Sequence, residues 1–155
     1  MATSEQIDQV LSRLAAAPAR FAAALSRLED ADSVDSTRPD EWSPAEVLAH
    51  VRASHDILEP RIFYMLVRDN PPLIAYDDRR WAEVARYATV PIIESLEVIR
   101  LRRKELVHAL RGISAEDWER TGTHEVSGPT TVFGVARHLA DHDEEHYAQI
   151  EERGG

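Results

Sequence analysis

At 155 residues the chain is long enough for one domain with a real core and too short for two, so residues 1–155 are expected to form a single domain. Its 43% hydrophobic and 30% charged residues suit a globular protein in water, and no run approaches the roughly 18 consecutive apolar residues of a membrane span. Cysteine is absent, which excludes disulfides, thiolate ligands and a cysteine nucleophile, and the net charge of −10 with scattered arginines argues against nucleic acid as a partner.

The N-terminal stretch MATSEQIDQVLSRL has no basic start followed by an apolar run. No signal peptide and no membrane partner are therefore expected, and the expected location is the cytoplasm. Lys104 is the one lysine among many arginines and alanines, the mark of a GC-rich bacterial genome.

In chain order, Ile7, Val10, Leu11, Leu14, Phe21, Leu25 and Leu28 recur at three and four, which predicts a helix from Ser4 to about Asp30. Pro18 should kink it or begin a second segment. A polar loop containing Pro39 follows, from Ala31 to Trp42. Ser43-Pro44-Ala45-Glu46 then supplies an N-cap serine, a first-turn proline and a capping-box glutamate. The helix it opens should run to about Arg68, kink at Pro60 and end before Asn70-Pro71-Pro72. A short helical piece is expected over residues 79–87. A third long helix should start near Val90-Pro91 and stop at Gly112.

Ser114-Ala115-Glu116-Asp117 is a second capping pattern, expected to open one turn carrying Trp118. Residues 121–129 read as an irregular loop, in which Glu125–Val126 is the only strand-like pair. The last helix should run from Thr130 or Thr131 to about Arg153. Four long helices predict an all-α up-and-down bundle and exclude an α/β fold.

The seven histidines carry the functional signal: 50, 55, 108, 124, 138, 142 and 146. In the last helix the apolar seam Val132, Val135, Leu139 and Ile150 continues through His142, His146 and Gln149, with His138 on its edge. Imidazoles buried in a bundle need partners, and two histidines four apart on a helix can hold one metal ion from a single turn. The alternative is two core histidines satisfied by hydrogen bonds to neighbouring helices. A third ligand must come from elsewhere. On the second helix the apolar face of Val47, Leu48, Val51, Leu58, Ile62 and Met65 centres on His55 and leaves His50 at its margin, so periodicity favours His55. His108 points away from the apolar face of its helix and is expected in solvent, and the role of His124 stays open.

Two stretches, Trp42-Ser43-Pro44-Ala45-Glu46-Val47-Leu48-Ala49-His50-Val51 and His138-Leu139-Ala140-Asp141-His142-Asp143-Glu144-Glu145-His146-Tyr147-Ala148-Gln149-Ile150, resemble the DinB/YfiT-like superfamily. The resemblance extends in order, spacing and capping over nearly the whole chain, including Arg38-Pro39. It implies a four-helix bundle of up-down-down-up type. It also implies a divalent metal, zinc or nickel, held by His50, His142 and His146, whereas His138 matches no ligand position. On the second helix the resemblance and the periodicity disagree, and the motif is followed, because a ligand at the margin of an apolar stripe can still reach a site between helices.

The family contains thiol-dependent transferases and isomerases that use mycothiol or bacillithiol, so the partners implied are a low-molecular-weight thiol and an electrophilic small molecule. A homodimer is an allowed assembly. Three neutral histidines would leave the ion its full charge and an open position, the arrangement of catalytic zinc. Three readings follow: a metal-dependent thiol S-transferase or isomerase, a non-catalytic metal-binding or stress-response protein, and a metal-free bundle with core histidines. Asp141, Asp143, Glu144 and Glu145 are expected to form a solvated acidic face, in preference to orienting the histidines or acting as a base. Trp42 and Trp118 are expected to pin the starts of their helices. Because unperturbed imidazole titrates near 6.5, metal affinity is expected to fall below that pH.

Overall fold

The computed structural model describes residues 1–28 and 42–153. The expected loop of residues 31–41 with Pro39, and the Arg38-Pro39 part of the resemblance, lie outside them. The elements are α1 (Ser4–Leu25), α2 (Pro44–Val67), β1 (Pro72–Leu73), α3 (Asp78–Ala85), α4 (Ile92–Arg111), β2 (Thr121–His124), β3 (Gly128–Thr131) and α5 (Val132–Glu151), with 3₁₀ turns at Tyr87–Thr89 and Asp117–Glu119.

The local signals set most boundaries. Ser43 Oγ accepts from the Glu46 amide (3.2 Å) and Glu46 Oε2 accepts from the Ser43 amide (2.7 Å), the reciprocal cap that starts α2. Gly112 ends α4, and Ser114 and Asp117 exchange hydrogen bonds around the turn that carries Trp118. Pro18 and Pro60 interrupt neither helix, so α1 runs unbroken through Pro18 and ends at Leu25, short of the expected Asp30.

The four long helices run up, down, down, up. Arg13, Arg20 and Arg27 of α1 and its C-terminal turn pair in that order with Asp141, Glu144 and Glu151, so α1 and α5 are parallel. Arg52 meets Ser95 and Arg102 meets Asp56 and Glu59, so α2 and α4 are parallel as well. The His50–His142 contact and the packing of Leu58, Ile62 and Met65 with Val132, Val135 and Leu139 set α2 against α5 in opposite senses. A simple up-and-down order is thereby corrected. Joining two parallel helices needs a crossover, and residues 68–91 provide it, carrying β1 and α3 along the bundle.

Residues 121–131 are not an irregular loop. Thr121–His124 pairs antiparallel with Gly128–Thr131, and β1 adds to the other edge of β2 in parallel, with Pro72 opposite Thr123 and Leu73 opposite His124. The strand-like pair Glu125–Val126 falls in the turn between β2 and β3. A Cβ on Gly122 would come within 2.9 Å of Leu73 and Met65 side-chain atoms, so glycine lets β2 lie close on the core.

The apolar interior has two parts. Val10, Leu14, Ile62, Met65, Leu106, Leu110, Val132 and Leu139 fill one end, and Phe21, Leu48, Val51, Ile99 and Ile150 fill the other. Between them lies a polar layer. Arg103 of α4 is 1% exposed and donates from Nη2 to Asp143 Oδ2 of α5 (2.6 Å) and to His55 Nε2 of α2. Asp143 Oδ1 lies 3.5 Å from the same His55 nitrogen. Asp143 is 2% exposed, which corrects its expected place on a solvated face; Asp141 and Glu144 do lie outward, paired with α1.

Breaking such a buried pair strands a charge. Asp143→Ala should therefore cost about 3–5 kcal/mol in urea unfolding, whereas the paired change Arg103→Met with Asp143→Leu should be near neutral or stabilising. A single-variant cost no larger than that of Arg13→Ala at the surface would show that the layer carries little energy.

Candidate metal centre

Three side chains from two helices converge beside the polar layer. His142 and His146 stand one turn apart on α5, and His50 faces them from α2. His50 Nε2 is 2.9 Å from His142 Nε2, and His142 Nε2 is 3.1 Å from His146 Nε2. The ligand atoms of the three all lie within 4.8 Å of one another, the one such cluster of metal-ligating side chains among the described residues. A tetrahedral ion at 2.0–2.1 Å from each nitrogen would space the nitrogens by about 3.3 Å, so the trio needs only small adjustment to take one.

Proton bookkeeping supports the fit. His146 Nδ1 donates to Gln149 Oε1 (2.9 Å), which leaves a lone pair on Nε2 aimed at the other two rings. Ser54 Oγ, one turn beyond His50 on α2, also reaches His142 Nε2 at 3.2 Å. A single N–H cannot satisfy every contact among three converging nitrogens; a cation accepts all three lone pairs at once.

The structure divides the two α2 histidines as the resemblance implies. His50, at the margin of the apolar face, turns toward α5 and the cleft. His55, at its centre and 0% exposed, points across the bundle to Arg103 and Asp143. Periodicity thus located the deeper histidine and not the one in the cluster. A guanidinium can only donate, so His55 accepts at Nε2 and carries its proton on Nδ1. His108 is exposed, as expected, and His138 is exposed with its ring 6.4 Å from that of His142. His124 sits on β2.

Burial keeps His50, His55 and His142 neutral. Burial, reinforced by His146 and His50, pushes His142 down to about 3, and burial with Arg103 pushes His55 down to about 4. Burial also lowers His50, outweighing the nearby Asp78 carboxylate. For Asp143, burial alone would raise the carboxyl, but Arg103 and His55 outweigh it and hold it below the usual range. Folded His142 thus keeps its lone pair well below pH 6.5.

Other residues were not singled out from the sequence. Trp42 does more than pin a helix start: it lies stacked 6.1 Å from the His146 ring and tilted 4.9 Å from that of His50, with the Arg79 guanidinium over its ring at 4.6 Å. Asp78, the first residue of α3, places Oδ2 3.7 Å from His50 Nε2. A cleft of about 670 Å³ opens over the trio between these residues and Glu145. The Arg103–Asp143 pair had a readable signal. Asp143 follows Leu139 by four and precedes His146 by three, Arg103 follows Ile99 by four and precedes Val107 by four, and opposite charges on two buried stripes call for each other.

The depressed histidines fix the sign of an acid effect. The unfolded chain protonates His55 and His142 near 6.5, while the folded chain leaves them neutral until about 4 and 3. Between these values the unfolded state binds more protons, so stability falls as pH drops from 6.5 toward 4. Urea midpoints of the metal-free protein should decline across that window and change little between pH 7 and 8. A flat profile from pH 7 to 4.5 would mean that the rings are hydrated in the folded state.

The DinB superfamily model matches residues 13–150. A putative metal-dependent hydrolase of Oceanobacillus iheyensis is 32% identical over 115 residues, covering 74% of this chain and 66% of that relative. One of Bacillus cereus is 27% identical over 148 residues, 96% of this chain and 85% of the relative. Among solved structures, YfiT from Bacillus subtilis, described as a probable metal-dependent hydrolase with an unusual four-helix bundle topology, superposes with a TM-score of 0.89 at 22% identity, covering 99% of this chain and 88% of that one. A mutant of the mycothiol-dependent maleylpyruvate isomerase gives 0.74 at 14% identity, and this chain spans 63% of its length. At those identities the two structures establish the fold.

Proposed function

The chain belongs to the DinB superfamily, and we propose that it holds one divalent ion, zinc or nickel, on His50, His142 and His146 and uses it as a metal-dependent enzyme acting on a small molecule. The observation that carries this reading is the convergence of three imidazole nitrogens at the floor of an open cleft. Three neutral ligands leave the ion its full charge and a free position, and such an ion lowers the pKa of a thiol or water placed there.

The chain's own residues do the rest. Burial keeps His50 and His142 unprotonated at neutral pH, Gln149 fixes the His146 tautomer, and Trp42 walls off one side. The preferred nucleophile is a low-molecular-weight thiol of the mycothiol or bacillithiol type, attacking an electrophilic carbon bound in the cleft, with S-transfer or isomerisation as the outcome. The fold shared with a mycothiol-dependent isomerase supports that choice. Hydrolysis is the second reading. The names of the relatives favour it, and so does the Asp78 carboxylate 3.7 Å from His50 Nε2, a base placed to take a proton from water.

Elemental analysis after zinc loading should give one equivalent for the wild type and far less for His50→Ala, His142→Ala and His146→Ala. His55→Ala should keep its zinc and lose about 1–3 kcal/mol of stability. A full equivalent in His142→Ala would overturn the ligand set. Turnover of an electrophile that depends on both zinc and added mycothiol or bacillithiol supports the transferase reading; zinc-dependent ester or amide cleavage without thiol selects hydrolysis.

A further inference from the structure

Bordering the main cleft at Asp78, His138 and His142 lies a smaller cavity of about 170 Å³. His142, Ser54 and Asp78 bound one end, Arg61 and His124 bound the other, and Ile57 and Leu58 line it between them. The stripe His50, Ser54, Leu58, Arg61 runs along one face of α2 at spacings of four, four and three, so a single helix carries the wall from the trio to the far end.

The far end is short of acceptors. His124 Nδ1 accepts from the backbone N–H groups of Val126 (3.3 Å) and Ser127 (3.2 Å) in the β2–β3 turn. That places the ring proton on Nε2, 3.3 Å from Arg61 Nη2. Two donors therefore face each other with no acceptor between them. Arg61 donates once to the Ile74 carbonyl (2.6 Å), and its Nε is buried without a partner. Among the described residues no carboxylate forms an ion pair with Arg61, and Glu125, whose charge reaches it, is engaged with the Ala75 amide (2.8 Å). Burial lowers the Arg61 pKa against the smaller upward pull of Tyr76 and Glu125.

We propose that Arg61 and His124 form a subsite for the carboxylate of a short-chain substrate whose apolar segment lies on Ile57 and Leu58 and whose reacting end reaches His142. The placement of the reacting end rests on the metal-centre reading; the carboxylate subsite does not. At roughly 30 Å³ per water the slot holds the volume of about five or six waters, enough for a carboxylate with a few carbons. The fork of a guanidinium beside an N–H suits a carboxylate oxygen pair.

The probe is sodium butyrate, titrated calorimetrically into the protein with and without zinc, alongside butyramide and inorganic phosphate. Butyrate should bind the wild type in both forms and butyramide in neither. Arg61→Gln should weaken butyrate about tenfold or more, and Arg61→Lys should restore part of the loss. Zinc uptake and melting temperature report whether the variants fold. A readout needing no variant is the His124 Nε2–H resonance, which should move on butyrate addition.

Butyrate affinity unchanged in a folded Arg61→Gln protein overturns the subsite, as does a silent His124 resonance or the absence of butyrate binding to the wild type. Phosphate binding in place of butyrate overturns the carboxylate assignment. Failure of the wild type to take up zinc would sink the metal reading alone, because the butyrate comparison in metal-free protein would still stand or fall by itself.

Discussion

Consecutive residues of α5, His142 and Asp143, carry polar groups toward the bundle interior, and each demands a partner from another helix. Asp143 finds Arg103 of α4, which also donates to His55 of α2; His142 finds His50 of α2 and its own neighbour His146. Three helices are thereby tied at one level, and the apolar core is split in two. The topology follows the same demand. Arg103 and His55 can meet Asp143 at the same height because α2 and α4 run parallel, and parallel neighbours need the long crossover that carries Asp78 and Arg79 over the histidines.

The two halves of the polar layer have different physical characters. The Arg103–Asp143 pair is closed, almost fully buried, and its value lies in fixing register and helix partners, since a buried ion pair adds little over aliphatic packing. The histidine half opens on a cleft, and its nitrogens point at one another, an arrangement that direct hydrogen bonds alone cannot satisfy. Keeping the charged guanidinium on Asp143 leaves that carboxylate occupied, and burial then holds the adjacent His142 neutral.

What the sequence made legible was local or periodic. The Ser43–Glu46 cap, the Gly112 stop and the Ser114–Asp117 turn depend on residues within four positions of each other, and all three stand where expected. The histidine pair on α5 could be read because a helix repeats. The three-stranded sheet could not, because its strands are short and rich in glycine, proline and threonine, and because β1 joins the local β2–β3 hairpin from some fifty residues away, Leu73 opposite His124. Periodicity also misjudged which α2 histidine joins the cluster, since it measures depth and not direction: His55 is deeper, but a site shared between α2 and α5 beside a cleft is reached from the margin, where His50 stands. Pro18, expected to kink its helix or begin a second segment, and Pro60, expected to kink its own, both lie inside continuous helices, because packing along the whole length of a long helix outweighs one lost hydrogen bond.

The central claim is that three imidazoles share one ion. X-ray absorption at the zinc edge of the loaded protein tests it most directly. The account predicts a shell of about four nitrogen or oxygen atoms at 2.0–2.1 Å, with outer-shell scattering from three imidazole rings that falls to two in His50→Ala. A shell of carboxylate and water oxygens without ring scattering, or a spectrum unchanged by His50→Ala, would contradict it.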